Sequence, residues 1–265
     1  MKSALGKYLA QIRQGTPVNY EAFLKQLPPA IASRHRDYFQ VKRVSKQRWQ
    51  VSYRDPEILA ELDAHASTPA TRREAALKGD SHRQQTGAAF ILVYHSALTD
   101  ERPDVVCLRP AFSMVGFEQK SNVLVVENED NFAHYAQMLA FSSACLDEEL
   151  SLSNCDVILG GGNRVARALV TDWLNTYQRV LCAFDYDLGG LKMYASLKKS
   201  LGPKAIFLQP ARWSEWQSAF QLTPKTSSRL VEAINRANDL GFAELAAIFR
   251  NTQKFMEQET LLDDK

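Results

Sequence analysis

From residue 121 onward, apolar runs rich in β-branched residues alternate with helical segments, and that alternation limits the architectures open to the chain. VLVVE (123–127) is followed by the helical pattern DNFAHYAQMLAF; DVILGGGN leads into RVARALVTDWL, RVLCAFD into LGGLKMYASLKK, and AIFLQ closes the series. Near-continuous apolar strands separated by helices predict a parallel sheet covered on both faces. In such sheets functional groups collect beyond the carboxyl ends of the strands.

Those ends carry acids. Glu127 closes one strand with Glu129 just beyond it, and Asp185 and Asp187 close another. Two apart in an extended backbone, Asp185 and Asp187 point to the same side. If the two strands are neighbours, three or four carboxylates meet at one edge. Neither motif contains a Lys or Arg, so such a set repels itself unless a cation neutralises it. Oxygen donors with few His or Cys nearby suit Mg²⁺ or Mn²⁺. Each element also has a plainer reading: Asp187 as the cap of the next helix, Glu127 as a solvated strand end, Gly160-Gly161-Gly162 as a tight turn rather than a phosphate cradle.

The amino-terminal part differs in charge. Residues 1–120 hold 18 basic and 12 acidic side chains, whereas residues 121–265 hold 14 basic and 18 acidic. The basic excess is concentrated in Arg34, Arg36, Lys42, Arg43, Lys46, Arg48 and Arg54 against the single acid Asp37. That is a footprint for polyanions or a solvated, edge-protecting strand surface. YEAFLKQLPPAIAS (20–33) predicts a helix, a break at Pro28-Pro29 and a second helical start. YFQVKRV and RWQVSYR then flank Ser45-Lys46-Gln47 as a hairpin. Helices followed by a basic hairpin is the order of a winged helix. EILAELDAHA predicts a further helix, and TPATRREAALK another, capped by Thr68 and ended by Gly79. A boundary within 78–88 divides a winged-helix-like region expected to bind DNA, 1–80, from an α/β region, 81–265.

An apolar fraction of 45% with only 12 Gly excludes disorder and collagen-like repetition. No stretch approaches the roughly 18 to 20 apolar residues of a membrane helix. Lys7 and Arg13 interrupt the first residues before a signal-like core forms, so the expected location is cytoplasmic. Cys107, Cys145, Cys155 and Cys182 lie far apart without a C-x-x-C pair and read as reduced thiols.

VLVVENEDNF followed by AFDYDLGG, a strand ending in Glu and then one ending in D-x-D-x-x-G, resembles the Toprim domain of topoisomerases, primases and related nucleases. VVENEDNF is similar to the matching stretch of the topoisomerase VI A subunit and of the Wadjet JetD family. DVILGGGN, FDYDLGGLKMYASLK, KFMEQETLL and GDSH (79–82) also resemble JetD elements, so the resemblance spans residues 70–265. It implies a Toprim-like parallel sheet flanked by helices, with metal-dependent cutting of duplex DNA. By that resemblance Glu127, Asp185 and Asp187 hold Mg²⁺ or Mn²⁺, Glu129 is an extra ligand or general base, and Glu257 reaches the same edge. Arg34, Arg36, Lys42, Arg43, Lys46 and Arg48 are the expected contacts to the DNA backbone. The implied partners are double-stranded DNA, a second copy of the chain and an SMC (condensin-like) complex that restricts plasmids, with no membrane. Two alternatives stay open: strand cleavage through Tyr38, as in the topoisomerase VI A subunit, and a non-catalytic DNA-binding or assembly subunit. The run WSEWQSAF (213–220) reads as core packing or a subunit contact.

Overall fold

The computed structural model describes residues 3–67, 87–110 and 112–262. The chain forms two compact units, Met1–Gly87 and Ala88–Lys265, each with its own apolar core. The helix expected over 68–78, the GDSH segment and most of the 78–88 boundary lie outside the described residues.

In the first unit α1 (Ala4–Arg13), α2 (Tyr20–Leu24), α3 (Pro29–Ser33) and α4 (His35–Tyr38) precede a hairpin of β1 (Phe39–Ser45) and β2 (Arg48–Tyr53), and α5 (Ile58–Ala66) follows. The helix starts are set by side chains. Ser3 Oγ accepts the Gly6 N–H at 3.0 Å, and Asn19 Oδ1 accepts the Ala22 N–H at 3.1 Å. Leu9, Phe23, Phe39 and Leu62 are buried together, with the Phe23 and Phe39 rings 5.3 Å apart. β1 buries only Phe39 and leaves the rest of its length in solvent.

The second unit is built on a seven-stranded sheet. β6 (Asn122–Val126) lies between β7 (Cys155–Leu159) and β8 (Arg179–Ala183), parallel to both, and β9 (Ala205–Phe207) continues the parallel set beyond β8. On the other side of β7 the direction reverses. β3 (Ala89–Tyr94), β4 (Asp104–Arg109) and β5 (Phe112–Met114) are antiparallel to their neighbours, β3 to β7. The sheet is therefore mixed, a correction to the expected parallel sheet. The reason is periodicity: β3 alternates, burying Ile91 and Val93 while Phe90 and Leu92 stand 56% and 37% exposed. Alternation marks a strand covered on one face and free to pair as a hairpin, whereas every residue of β6 is buried.

Helices α6 (Glu129–Ala133), α7 (Tyr135–Leu146), α8 (Ala168–Leu174), α9 (Leu188–Leu201), α10 (Ser227–Asp239) and α11 (Ala243–Thr252) complete the unit. Trp213 and Phe220 of WSEWQSAF are buried, the Trp213 ring 4.8 Å from that of Tyr186, so this run packs into the core. All four cysteines are free thiols. No helix among the described residues is long and apolar enough to cross a membrane.

Candidate functional site

The parallel register settles where the acids stand. Val126 of β6 is level with Ala183 of β8, so both chains leave the sheet side by side at their carboxyl ends. Glu127 emerges from β6, and its Oε2 accepts the backbone N–H of Asp185 at 3.0 Å. Asp185 Oδ1 in turn accepts the N–H of Gln258 at 2.8 Å. Tyr186, between the two aspartates, turns inward as alternation requires: it is fully buried and donates its hydroxyl to Leu208 O at 3.0 Å. Its backbone exchanges two hydrogen bonds with Met256, at 2.9 and 3.2 Å, which carries the carboxy-terminal segment across the edge.

Asp187 caps α9, its Oδ1 accepting the Gly190 N–H at 2.8 Å. The capping role and a place at the edge are compatible, because Oδ2 is left over. Glu259 approaches from the carboxy-terminal segment, and its Oε1 accepts from Asn128 Nδ2 at 2.7 Å. Glu129, in the first turn of α6, and Glu257 are exposed, and neither makes an ion pair among the described residues. The second acid of E-Q-E thus faces the site where the sequence reading chose the first.

Two glycines allow the close packing. A Cβ on Gly190 would lie 2.2 Å from Asp185 O, and one on Gly160, at the end of β7, would lie 3.1 Å from Val125 Cγ1 and from Val126 O.

The electrostatics are those of an unneutralised group. Burial, with smaller contributions from the charges of Asp187 and Glu259, pushes Glu127 up to about 7 against the favourable hydrogen bond from Asp185. Burial, then the charge of Glu127, pushes Asp185 up to about 8. Among the described residues the nearest cation is Arg229, whose Nη2 is 4.0 Å from Asp187 Oδ2.

Among the described residues no group of three or more His, Cys, Asp or Glu side chains is placed to hold a metal ion. The donor chemistry nevertheless fits a hard divalent ion. Mg²⁺ keeps several of its waters and is held by one or two carboxylates plus substrate phosphate, so an open pair such as Glu127 and Asp185 suffices. Asn131 and Gln258 are fully buried beside this edge, and both side-chain amide atoms of Asn131 are without a partner among the described residues.

In the first unit the expected DNA-contacting cations are exposed, but three have local partners. Arg34 pairs with Asp37 at 3.0 Å, Arg48 donates to Pro17 O at 3.1 Å, and Arg43 lies 5.8 Å above the Trp49 ring. Arg36, Lys42 and Lys46 form no ion pair among the described residues. Tyr38 is half-buried against the unit's core with Arg34 5.9 Å from its ring centre.

The family model described as Wadjet protein JetD, C-terminal, matches residues 110–265. No curated protein and no solved structure matches the chain.

Proposed function

This chain belongs to the Wadjet protein JetD family, and from that premise we propose that it is the metal-dependent nuclease subunit of an SMC-like, plasmid-restricting complex. The second unit is read as a Toprim-like catalytic domain and the first as a winged-helix-like DNA-binding domain. One observation carries this reading: acids from two neighbouring strand ends meet, and among the described residues no cation lies closer to them than Arg229, 4.0 Å from Asp187, an arrangement that disfavours ionisation unless a ligand compensates it.

Glu127, Asp185 and Asp187 are the residues that would hold Mg²⁺ or Mn²⁺, with Glu259 beside them. A divalent ion held there would supply charge neutralisation at the scissile phosphate and a more acidic water. The chain's own part is to fix the oxygens. The Asp185 N–H holds Glu127 Oε2, the Gln258 N–H holds Asp185 Oδ1, and the Gly190 N–H holds Asp187 Oδ1, so each acid presents its other oxygen. In the hydrolysis one P–O bond forms from water and the P–O bond to the departing sugar oxygen breaks. One water proton ends on the departing hydroxyl and the other leaves with solvent. Arg36, Lys42, Arg43, Lys46 and Arg48 supply sequence-independent attraction to the DNA backbone. Cutting both strands calls for two such centres, so the working form is a homodimer.

Circular plasmid incubated with the chain and Mg²⁺ or Mn²⁺, with and without chelator, tests the reading. The expected result is metal-dependent nicking or linearisation. Glu127→Gln and Asp185→Asn should lose about 10³-fold in rate, since such ions contribute several kcal/mol to the transition state, while keeping their circular dichroism melts. Undiminished cutting by a folded variant overturns the assignment, and DNA binding without cutting under any metal leaves an assembly subunit.

A further inference from the structure

We propose that Arg229 is a further catalytic residue of this site, a guanidinium that grips a non-bridging oxygen of the scissile phosphate; the inference rests on the nuclease reading above. Among the described residues Arg229 is the one Lys, Arg or His within ion-pairing distance of Glu127, Asp185, Asp187 or Glu259, with Nη2 4.0 Å from Asp187 Oδ2. That separation is too long for a hydrogen bond. Its guanidinium makes no other ion pair or side-chain hydrogen bond among the described residues, so the donors of the planar fork are available.

Local stability does not account for this placement. Arg229 stands in the first turn of α10, where Thr226 provides the cap, and a cation at the positive end of a helix is disfavoured. Glu232, three positions along the same helix, is the acid that would normally hold it. Lys192 of α9 takes Glu232 instead, at 2.7 Å. The Arg229 side chain is 44% exposed while that of Asp187 is 20% exposed, so the cation lies on the solvent side of the acid, where a phosphate arrives.

The chemistry suits the position. A planar guanidinium binds phosphate oxygens through two parallel N–H donors, and charge grows on those oxygens as the P–O bond to the departing sugar oxygen breaks. Once the charge of Asp187 is shared with a bound cation, its hold on Arg229 weakens and the fork is released toward substrate. Arg229 keeps all its protons throughout and acts by hydrogen bonding alone.

The test uses the whole chain, with Arg229→Ala, Arg229→Lys and Glu127→Gln compared with the parent. Plasmid cleavage is followed over a range of DNA concentrations, and Mn²⁺ binding to the DNA-free protein is measured by calorimetry. Arg229→Ala is expected to lower kcat about 10²-fold with a smaller change in KM, as loss of one preorganised donor does. Arg229→Lys should recover part of that loss. With the competing cation removed, Arg229→Ala should also bind Mn²⁺ severalfold more tightly, whereas loss of a residue that only packs the helix leaves that affinity unchanged; the kcat loss separates phosphate contact from ion pairing alone. If Arg229→Ala fails to fold, Arg229→Lys is read in the same two ways. Parent-like kcat and Mn²⁺ affinity in Arg229→Ala, with Glu127→Gln inactive, overturn the role of Arg229 and leave the nuclease reading standing. A parent chain that neither cuts nor binds Mn²⁺ overturns both.

Discussion

The two ends of the same parallel strands treat acidic side chains in opposite ways. At the amino ends three acids have side-chain partners. Asp156 of β7 is fully buried; its Oδ2 accepts from the Lys120 N–H at 3.0 Å and the Tyr177 hydroxyl at 3.1 Å, while Oδ1 has no partner among the described residues. Glu148 takes both terminal nitrogens of Arg179, at 2.6 and 3.1 Å, and Asp104 is bonded to His95 at 2.8 Å. At the carboxyl ends the partners of Glu127, Asp185 and Asp187 among the described residues are backbone amides and one cation at 4.0 Å. Acids that serve the fold come with partners. The acids whose hydrogen bonds, among the described residues, come from backbone amides alone are the ones the proposed ligand would use.

The largest effect expected of any single change falls at the carboxyl end. Gly190→Ala puts a Cβ 2.2 Å from Asp185 O and 3.2 Å from Asp185 N, a collision with backbone that no side-chain rotation relieves. Overpacking of this kind costs about 3 kcal/mol or more, so a denaturant melt should show a steep loss of stability together with loss of cutting. Gly189→Ala is the milder companion, because its nearest neighbour is a side-chain atom, the capping oxygen Asp187 Oδ1 at 3.1 Å, which has to give by only a few tenths of an ångström. Equal melts for the two variants would show that the edge is not held as tightly as the geometry requires.

The matched end should respond differently to loss of charge. Asp156→Ala leaves the Tyr177 hydroxyl and the Lys120 N–H buried without acceptors, which costs about 1–3 kcal/mol. Glu127→Gln removes a charge that its surroundings already disfavour, so the metal-free protein should melt no lower than the parent. Thermal melts of the two variants in chelator check this. Destabilisation of equal size at both ends would erase the contrast.

How much of this was legible in the sequence depends on the range of the interactions involved. The convergence of Glu127 with Asp185 was readable, because a fully buried run such as VLVV fixes both strand type and exit point, and parallel neighbours leave the sheet at one edge. The antiparallel β3, β4 and β5 were missed, since their half-exposed alternation lacks the continuous apolar signature. Glu259 was missed in favour of Glu257 because the orientation of the carboxy-terminal segment is set by distant pairing. Phe255 bridges Leu222 and Met256 bridges Tyr186, and that register, absent from the local pattern, puts the Gln258 amide on Asp185. Arg229 had no motif to mark it. Its meaning depends on Lys192 having taken Glu232, a contact between two helices. In the first unit the basic count overstated the free charge, because Arg34 is paired within its own turn.

The smallest effect expected concerns pH, and it reads the two ends through the metal-free protein. Glu127 and Asp185 lie at about 7 and about 8, above the ordinary 4.5 and 3.8, chiefly through burial and then through neighbouring negative charge. The folded state therefore keeps protons that the unfolded chain releases near pH 4. Their contribution to stability is complete below that value and is lost as pH rises through about 7 to 8. In chelator, the Tm of the parent should fall by roughly a few degrees between pH 5 and pH 9 relative to the Glu127→Gln, Asp185→Asn double variant. Mg²⁺ or Mn²⁺ should recover that difference at pH 8, where the carboxylates are free to bind it, and have little effect at pH 5, where protons hold them. The matched acids at the amino end are common to both proteins and cancel in the comparison. Parallel profiles for parent and double variant, or equal metal stabilisation at pH 5 and pH 8, would mean that the carboxyl-end acids are as settled as those at the other end.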